Sequence, residues 1–205
     1  MSRVRPPVDW ERQALRSLLF APGNHARRLE RVGEFGSDVI VLDLEDAVAN
    51  AEKIAARVPT RAALSTYTGS VVVTVRVNGE STRLQEGDIE AVLSPDLDCL
   101  MVPKVESVET LVRVSALLDR LERDAGIPEG QIRLLPIVET AVGLVRCEEL
   151  ALSAPPRVVM TGRITDGKVE FHKVEIEAGS DSVERSLEES EMVYSSWLEY
   201  IEDNY

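Results

Sequence analysis

Six short apolar runs punctuate the chain, and each closes on a polar cluster: Ser17–Gly23, Val41–Asp46, Val71–Asn78, Leu100–Glu106, Arg133–Thr140 and Val158–Gly162. Within them apolar residues are nearly continuous rather than alternating, which is the pattern of strands buried on both faces of a parallel sheet. Stretches of helical period lie between them. The clearest places Val108, Leu111, Val112, Ser115, Leu118 and Leu121 on one stripe and ends at Gly126 and Pro128. A second helix is predicted from Asn24 as N-cap, with Ala26, Leu29 and Val32 on one face. A third runs from about Asn50 through Ile54, Ala55 and Val58. Such strand-helix alternation predicts a parallel α/β architecture.

After Gly162 the pattern changes. An extended piece, Lys168 to Glu177, alternates and slips phase at His172-Lys173, as a β-bulge requires. An amphipathic helix is then predicted: Asp181 and Glu184 form a capping box, and Val183, Leu187, Tyr194, Trp197, Leu198 and Ile201 form a stripe. The reading divides the chain into residues 1–162 and a divergent acidic segment, 163–205. Both the stripe and an open sheet edge call for cover, so a homo-oligomer is expected.

Composition narrows the function classes. With 36 Asp+Glu against 23 Lys+Arg the formal charge is -13, which disfavours nucleic-acid binding driven by counterion release. Neither an apolar run of membrane-spanning length nor a signal-type N-terminus is present, so a soluble cytoplasmic protein without membrane contact is expected. Cys99 and Cys147 lack metal-type spacing and read as reduced thiols. His25 and His172 have no partners at ligand spacing, and no glycine-rich phosphate loop opens a helix.

The candidate chemistry sits where the runs end. Glu139 ends an apolar strand, where a lone buried charge is costly; it is either a ligand for a divalent cation or a carboxylate neutralised by an arginine. Arg76 presents a fork able to grip a substrate carboxylate, the alternative being a structural ion pair with Glu45 or Asp46. Asp43 and Glu45 share a face if the strand persists, whereas Asp46 falls in the loop. Lys104 can reach a phosphate, a carboxylate or the same acidic cluster.

Five stretches in order, Arg16–Asn24, Val41–Val48 followed by Glu52–Arg57, Val75–Gly79, Met101–Ser107 and Ile137–Gly143, resemble the citrate lyase β-subunit-like CoA-ester lyases of the HpcH/HpaI aldolase superfamily. The likeness covers about residues 14 to 162. It implies a TIM-barrel-like β/α fold and a Mg²⁺-dependent enzyme that makes or cleaves a carbon-carbon bond in a CoA thioester such as citryl-CoA or malyl-CoA. By motif, Glu139 resembles a metal ligand, Arg76 the carboxylate grip, and Glu45 with Asp46 the acidic pair beside the substrate. The Pro22-Gly23-Asn24 turn, Lys53, Arg57 and Lys104 would lie on the substrate and CoA side.

One departure tempers this. Where the family runs from the sixth strand into a Gly-x-x-Asp turn that supplies a second metal carboxylate, this chain continues Arg163-Ile-Thr-Asp166, one residue late. Asp166 is therefore a metal candidate or a turn residue. With six family-like strands and no counterpart of the last two strand-helix units, weak or absent lyase activity is expected. The alternatives are a non-catalytic binding or assembly protein on this fold, or a lyase acting on free keto acids.

Overall fold

Every residue of Val39–Asp43 is buried, as its unbroken apolar run requires, and this strand, β2, lies next to one edge of a five-stranded sheet. The structure, a computed structural model, describes residues 6–10, 12–13, 15–159, 162–165 and 168–171. β1 (Leu18–Pro22), β2, β3 (Val72–Arg76), β4 (Cys99–Val102) and β5 (Arg133–Pro136) pair in sequence order, all parallel. Helices return the chain between strands: α1 (Ala26–Arg31), α2 (Lys53–Ala63), α3 (Gln85–Val92), α4 (Val108–Ala125), and then α5 (Ala141–Val145) and α6 (Cys147–Ser153). This is the expected strand-helix succession.

Register decides which side chains meet. Pro22, Asp43, Arg76 and Met101 stand in one transverse row, since Pro22 pairs with Asp43, Asp43 with Arg76, and Arg76 with Met101. Alternation sends Ile40, Leu42, Val73, Val75, Leu100 and Leu134 to the helix-covered face, where the main core forms. The opposite face carries a smaller cluster of Val39, Val41, Val72, Cys99 and Met101, packed against Val8, Trp10 and Leu15 of the N-terminal segment. The polar row at the C-terminal strand ends therefore sits on the inner face, one layer above an apolar floor.

The helix after β4 forms as predicted, with Ser107 accepting from the Thr110 amide at its start and Gly126 in the left-handed region at its end. Its buried face is rotated from the predicted stripe: Thr110, Leu111, Val114, Leu118 and Glu122 are buried, whereas Val112 is exposed. α2 departs further, because Ile54 and Val58 point outward, 63% and 74% exposed, and Lys53, Ala56, Thr60 and Ala63 are buried. Close approach is the reason. A Cβ on Gly23 would collide with Thr60 Oγ1, and the Thr60 hydroxyl donates to the Gly23 carbonyl at 3.3 Å, so only small residues fit between α2 and the β1 turn.

Asn24 does not cap α1. His25 holds that position, and the Asn24 amide donates to Glu52 at 2.6 Å. The sixth apolar run also differs from expectation: Val158 makes a single parallel bridge to Leu134, flanked by bonds from Leu134 N to Arg157 O and from Val159 N to Leu134 O. Gly162 instead opens β6 (Gly162–Thr165), whose ladder is taken by β7 (Lys168–Phe171) in an antiparallel pair. β7 begins where the extended piece is expected, at Lys168. The phase slip at His172-Lys173 and the amphipathic helix lie outside the described residues. No helix among those described is long and apolar enough to cross a membrane.

Candidate functional site

β2 stops at Asp43, so Glu45 does not share a strand face with it. Instead Asp43 folds the following loop around its own carboxylate. Its Oδ1 accepts from the Glu45 amide at 2.8 Å and its Oδ2 from the Ala47 amide at 3.0 Å. The same two oxygens receive Arg76, Nε at 2.8 Å and Nη2 at 2.6 Å, across the strand pair whose register sets the two residues side by side. Burial pushes the Asp43 carboxyl upward, but the arginine and the two amides outweigh it and hold the group below the ordinary aspartate range. Both oxygens are filled, so Asp43 is unsuited to direct chemistry and suited to fixing Arg76.

Arg76 keeps donors in hand. A guanidinium has five N–H groups, and Asp43 uses the Nε edge. Nη1 lies 3.3 Å from Glu45 Oε2 and 3.8 Å from Asp46 Oδ2. The first contact is an ion pair by distance without hydrogen-bond alignment, for Glu45 Oε2 is buried and has no hydrogen-bond partner. The Phe20 ring lies against the guanidinium, 5.1 Å from centroid to Cζ, and is 44% exposed. Phe20 was missed in the sequence; standing two residues before Pro22, it shares the inner face, and that parity was the available signal.

Lys104 ties the cluster together. Its ammonium donates to Glu45 Oε1 at 2.6 Å and lies 3.7 Å from Asp46 Oδ1; the Glu45 contact raises its pKa, so the charge is permanent at neutral pH. Its backbone amide donates to Glu139 Oε1 at 3.1 Å, from a left-handed conformation with φ 53. That conformation costs a non-glycine residue about 1–2 kcal/mol. Glu139 is exposed, beyond the end of β5, and is reached by the Lys104 amide. Thr140 accepts from the Gly143 amide and starts α5.

Arg76, Glu45, Asp46, Lys104 and Glu139 thus come together at the C-terminal strand ends. Pro22 and Gly23 stand beside them, the Gly23 amide donating to the Asp43 carbonyl at 2.8 Å. Lys53 and Arg57 are committed elsewhere. The Lys53 ammonium is buried against the carbonyls of Leu44 and Glu45, while Arg57 is bonded to Asp88 at 2.8 Å and to the Leu84 carbonyl at 3.1 Å. Asp88 in turn accepts from the Asn78 amide and side chain, and Asn78 donates to the Leu44 carbonyl, so these charges brace the loops behind the site. Asp166 lies outside the described residues.

Among the described residues no three His, Cys, Asp or Glu side chains converge as a metal cluster. Magnesium needs only one or two protein carboxylates beside substrate and water, however, and the exposed Glu139 offers hard oxygens of the required kind. The donor chemistry fits that ion.

Residues 16–162 match the model of the HpcH/HpaI aldolase/citrate lyase family. The chain is 36% identical over 137 residues to the citrate lyase subunit beta of Leuconostoc mesenteroides subsp. cremoris, covering 66% of this chain and 45% of that protein. It is 37% identical over 150 residues to a (3S)-malyl-CoA thioesterase of Cereibacter sphaeroides, covering 73% and 47%. Among solved structures, the citrate lyase beta subunit of M. tuberculosis complexed with oxaloacetate and magnesium superposes with a TM-score of 0.51 at 28% identity, over 71% of this chain and 57% of that one. The chain spans about half the length of the curated relatives it matches.

Proposed function

This chain belongs to the HpcH/HpaI aldolase/citrate lyase family, and on that premise we propose that it carries the acid-binding half of a Mg²⁺-dependent carbon-carbon lyase acting on a CoA thioester of a hydroxy acid. The observation that supports this most is the arginine clamp: Asp43 fixes Arg76 by two bonds, and its remaining donors are left at the strand ends. A fixed fork is worth more than a mobile one, because the substrate carboxylate is oriented without further ordering.

In this reading the free Nη donors of Arg76 bind the carboxylate of the keto-acid half, and Phe20 keeps the guanidinium plane in place. Glu45 Oε2 is the acceptor left open for the hydroxyl proton released as the carbon-carbon bond breaks. Lys104, protonated, balances the charge of Glu45 and Asp46, so that an anionic substrate is not repelled. Glu139, with Asp166, would hold Mg²⁺, which when bound supplies Lewis-acid polarisation of the keto or hydroxy oxygen. Pro22, Gly23 and Asn24 form the proposed rim toward the thioester. The division into a 1–162 portion and a divergent acidic segment, 163–205, that brings Asp166 belongs to the same proposal, as do homo-oligomerisation and a cytoplasmic location.

Incubation of the chain with malyl-CoA or citryl-CoA and Mg²⁺, with keto acid and free thiol followed separately, tests it. Slow keto-acid release that needs Mg²⁺ and Arg76 is expected. Free thiol without keto acid would indicate thioester hydrolysis instead. Mg²⁺-independent association with the acid and no product would support the alternative, a binding protein without turnover.

A further inference from the structure

Lys104 is attached at two points whose chemistry is independent. One is its side chain, on the buried Glu45; the other is its backbone amide, on Glu139, 35 residues further along the chain. The amide reaches Glu139 only because residue 104 turns through the left-handed region, φ 53, where lysine has no intrinsic preference. Only one other non-glycine residue among those described, Arg83, has a positive φ. Backbone strain of this kind persists where surroundings over-determine it. The surroundings are visible: Val105 N donates to Ile137 O at 3.1 Å and Ile137 N to Val102 O at 2.8 Å, so the β4 exit and the segment leading to Glu139 are laced together on both sides of the turn. Gly143 at the start of α5 packs so closely on the Val105 carbonyl that a Cβ there would overlap it.

We infer that Lys104 is a positioning residue, a strut whose left-handed backbone aims its amide at Glu139 and whose ammonium holds Glu45, so that both carboxylates are kept in fixed orientations, Glu45 beside the Arg76 fork. The two attachments do different work. The backbone amide sets the Glu139 carboxylate without adding a formal charge beside it. The ammonium sets Glu45 and leaves its second oxygen open. The inference rests on the proposed function for the use of Glu139 as a metal carboxylate, but the strut itself is a property of the chain's own contacts.

Two variants separate backbone from charge. Lys104→Gly removes the ammonium and keeps both the amide and easy access to the left-handed region. Lys104→Val removes the ammonium and makes that region unfavourable. Thermal melts first establish that both variants fold. Calorimetric Mg²⁺ titration of the full chain is expected to show affinity kept or increased in Lys104→Gly and weakened by about tenfold or more in Lys104→Val, the size of effect seen when a ligand's supporting bond is lost. Equal affinities in the two variants would overturn the strut. Amide hydrogen exchange at residue 104, in chain free of metal, gives a second reading: Glu139→Ala is expected to accelerate it about tenfold, the loss of one bond to a charged acceptor. An unchanged exchange rate would also overturn it. If the parent chain binds no Mg²⁺ while the exchange rate responds to Glu139→Ala, the proposed metal role fails and the strut stands.

Discussion

Two arginine-carboxylate clusters in this molecule look alike in composition and differ in what they leave over. At the Arg157 cluster the buried carboxylate is spent: Arg157, 4% exposed, donates to the Ile132 carbonyl, to Glu122 and to Asp119, while Glu122, fully buried, also accepts the amides of Gly130 and Ile132. At the strand ends Asp43 is equally filled, but Arg76 Nη1 makes ion pairs with Glu45 and Asp46 and no hydrogen bond, Glu45 keeps an oxygen without a hydrogen bond, and Lys104 and Glu139 reach solvent. A closed cluster can only hold the fold. A cluster with unspent groups beside members that reach solvent can hold something else, and this surplus separates the site from the scaffold better than charge alone does.

Substitution should separate the two clusters most sharply in stability. Arg157→Ala leaves Glu122 buried without its cation and is expected to lower the unfolding free energy by about 3–5 kcal/mol in urea denaturation. A loss below about 1 kcal/mol, the scale of an ordinary exposed pair, would mean the cluster is not closed. Arg76→Lys keeps a charge near Asp43 but loses the fork, and is expected to weaken oxaloacetate binding about 10- to 100-fold, the value of one to two bonds between charged groups. Undiminished binding would place the acid elsewhere.

Acid unfolding sharpens the role of Asp43. Its folded pKa is depressed, chiefly by Arg76 acting against burial, so its contribution is present above the unfolded aspartate value near 3.9 and is lost as pH falls through the folded one. The parent chain is therefore expected to lose stability below about pH 4 more steeply than Asp43→Asn does, which urea midpoints taken across that range would detect. Smallest of all is Val58→Lys. Because that side chain faces outward, a change within about 0.5 kcal/mol is expected. A larger loss would restore Val58 to the core.

The same contrast explains what the sequence could and could not convey. Continuous apolar runs gave away the strands, since burial on both faces leaves no alternation, and the run ends marked Arg76, Glu45, Lys104 and Glu139. Pairing across strands was not legible, because it depends on register: Asp43 against Arg76 follows from a β2–β3 alignment that neither segment specifies alone. α2 misled for a related reason. Its larger apolar residues, Ile54 and Val58, suggested the inner face, yet the helix buries Lys53, Ala56, Thr60 and Ala63, with Thr60 filling the narrow gap beside Gly23. Glu122 and Arg157 gave no sign of forming a buried pair, and α3 is a short helix whose buried Asp88 and Gln85 obscure any apolar stripe.

The most direct test of the account is calorimetric titration of oxaloacetate into the full chain, with and without Mg²⁺, beside the same titration of Arg76→Lys and Arg57→Lys. The account predicts Mg²⁺-dependent binding that Arg76→Lys largely abolishes and Arg57→Lys leaves intact, since Arg57 serves Asp88 and not the mouth. Binding indifferent to both Mg²⁺ and Arg76, or no binding at all, would contradict it.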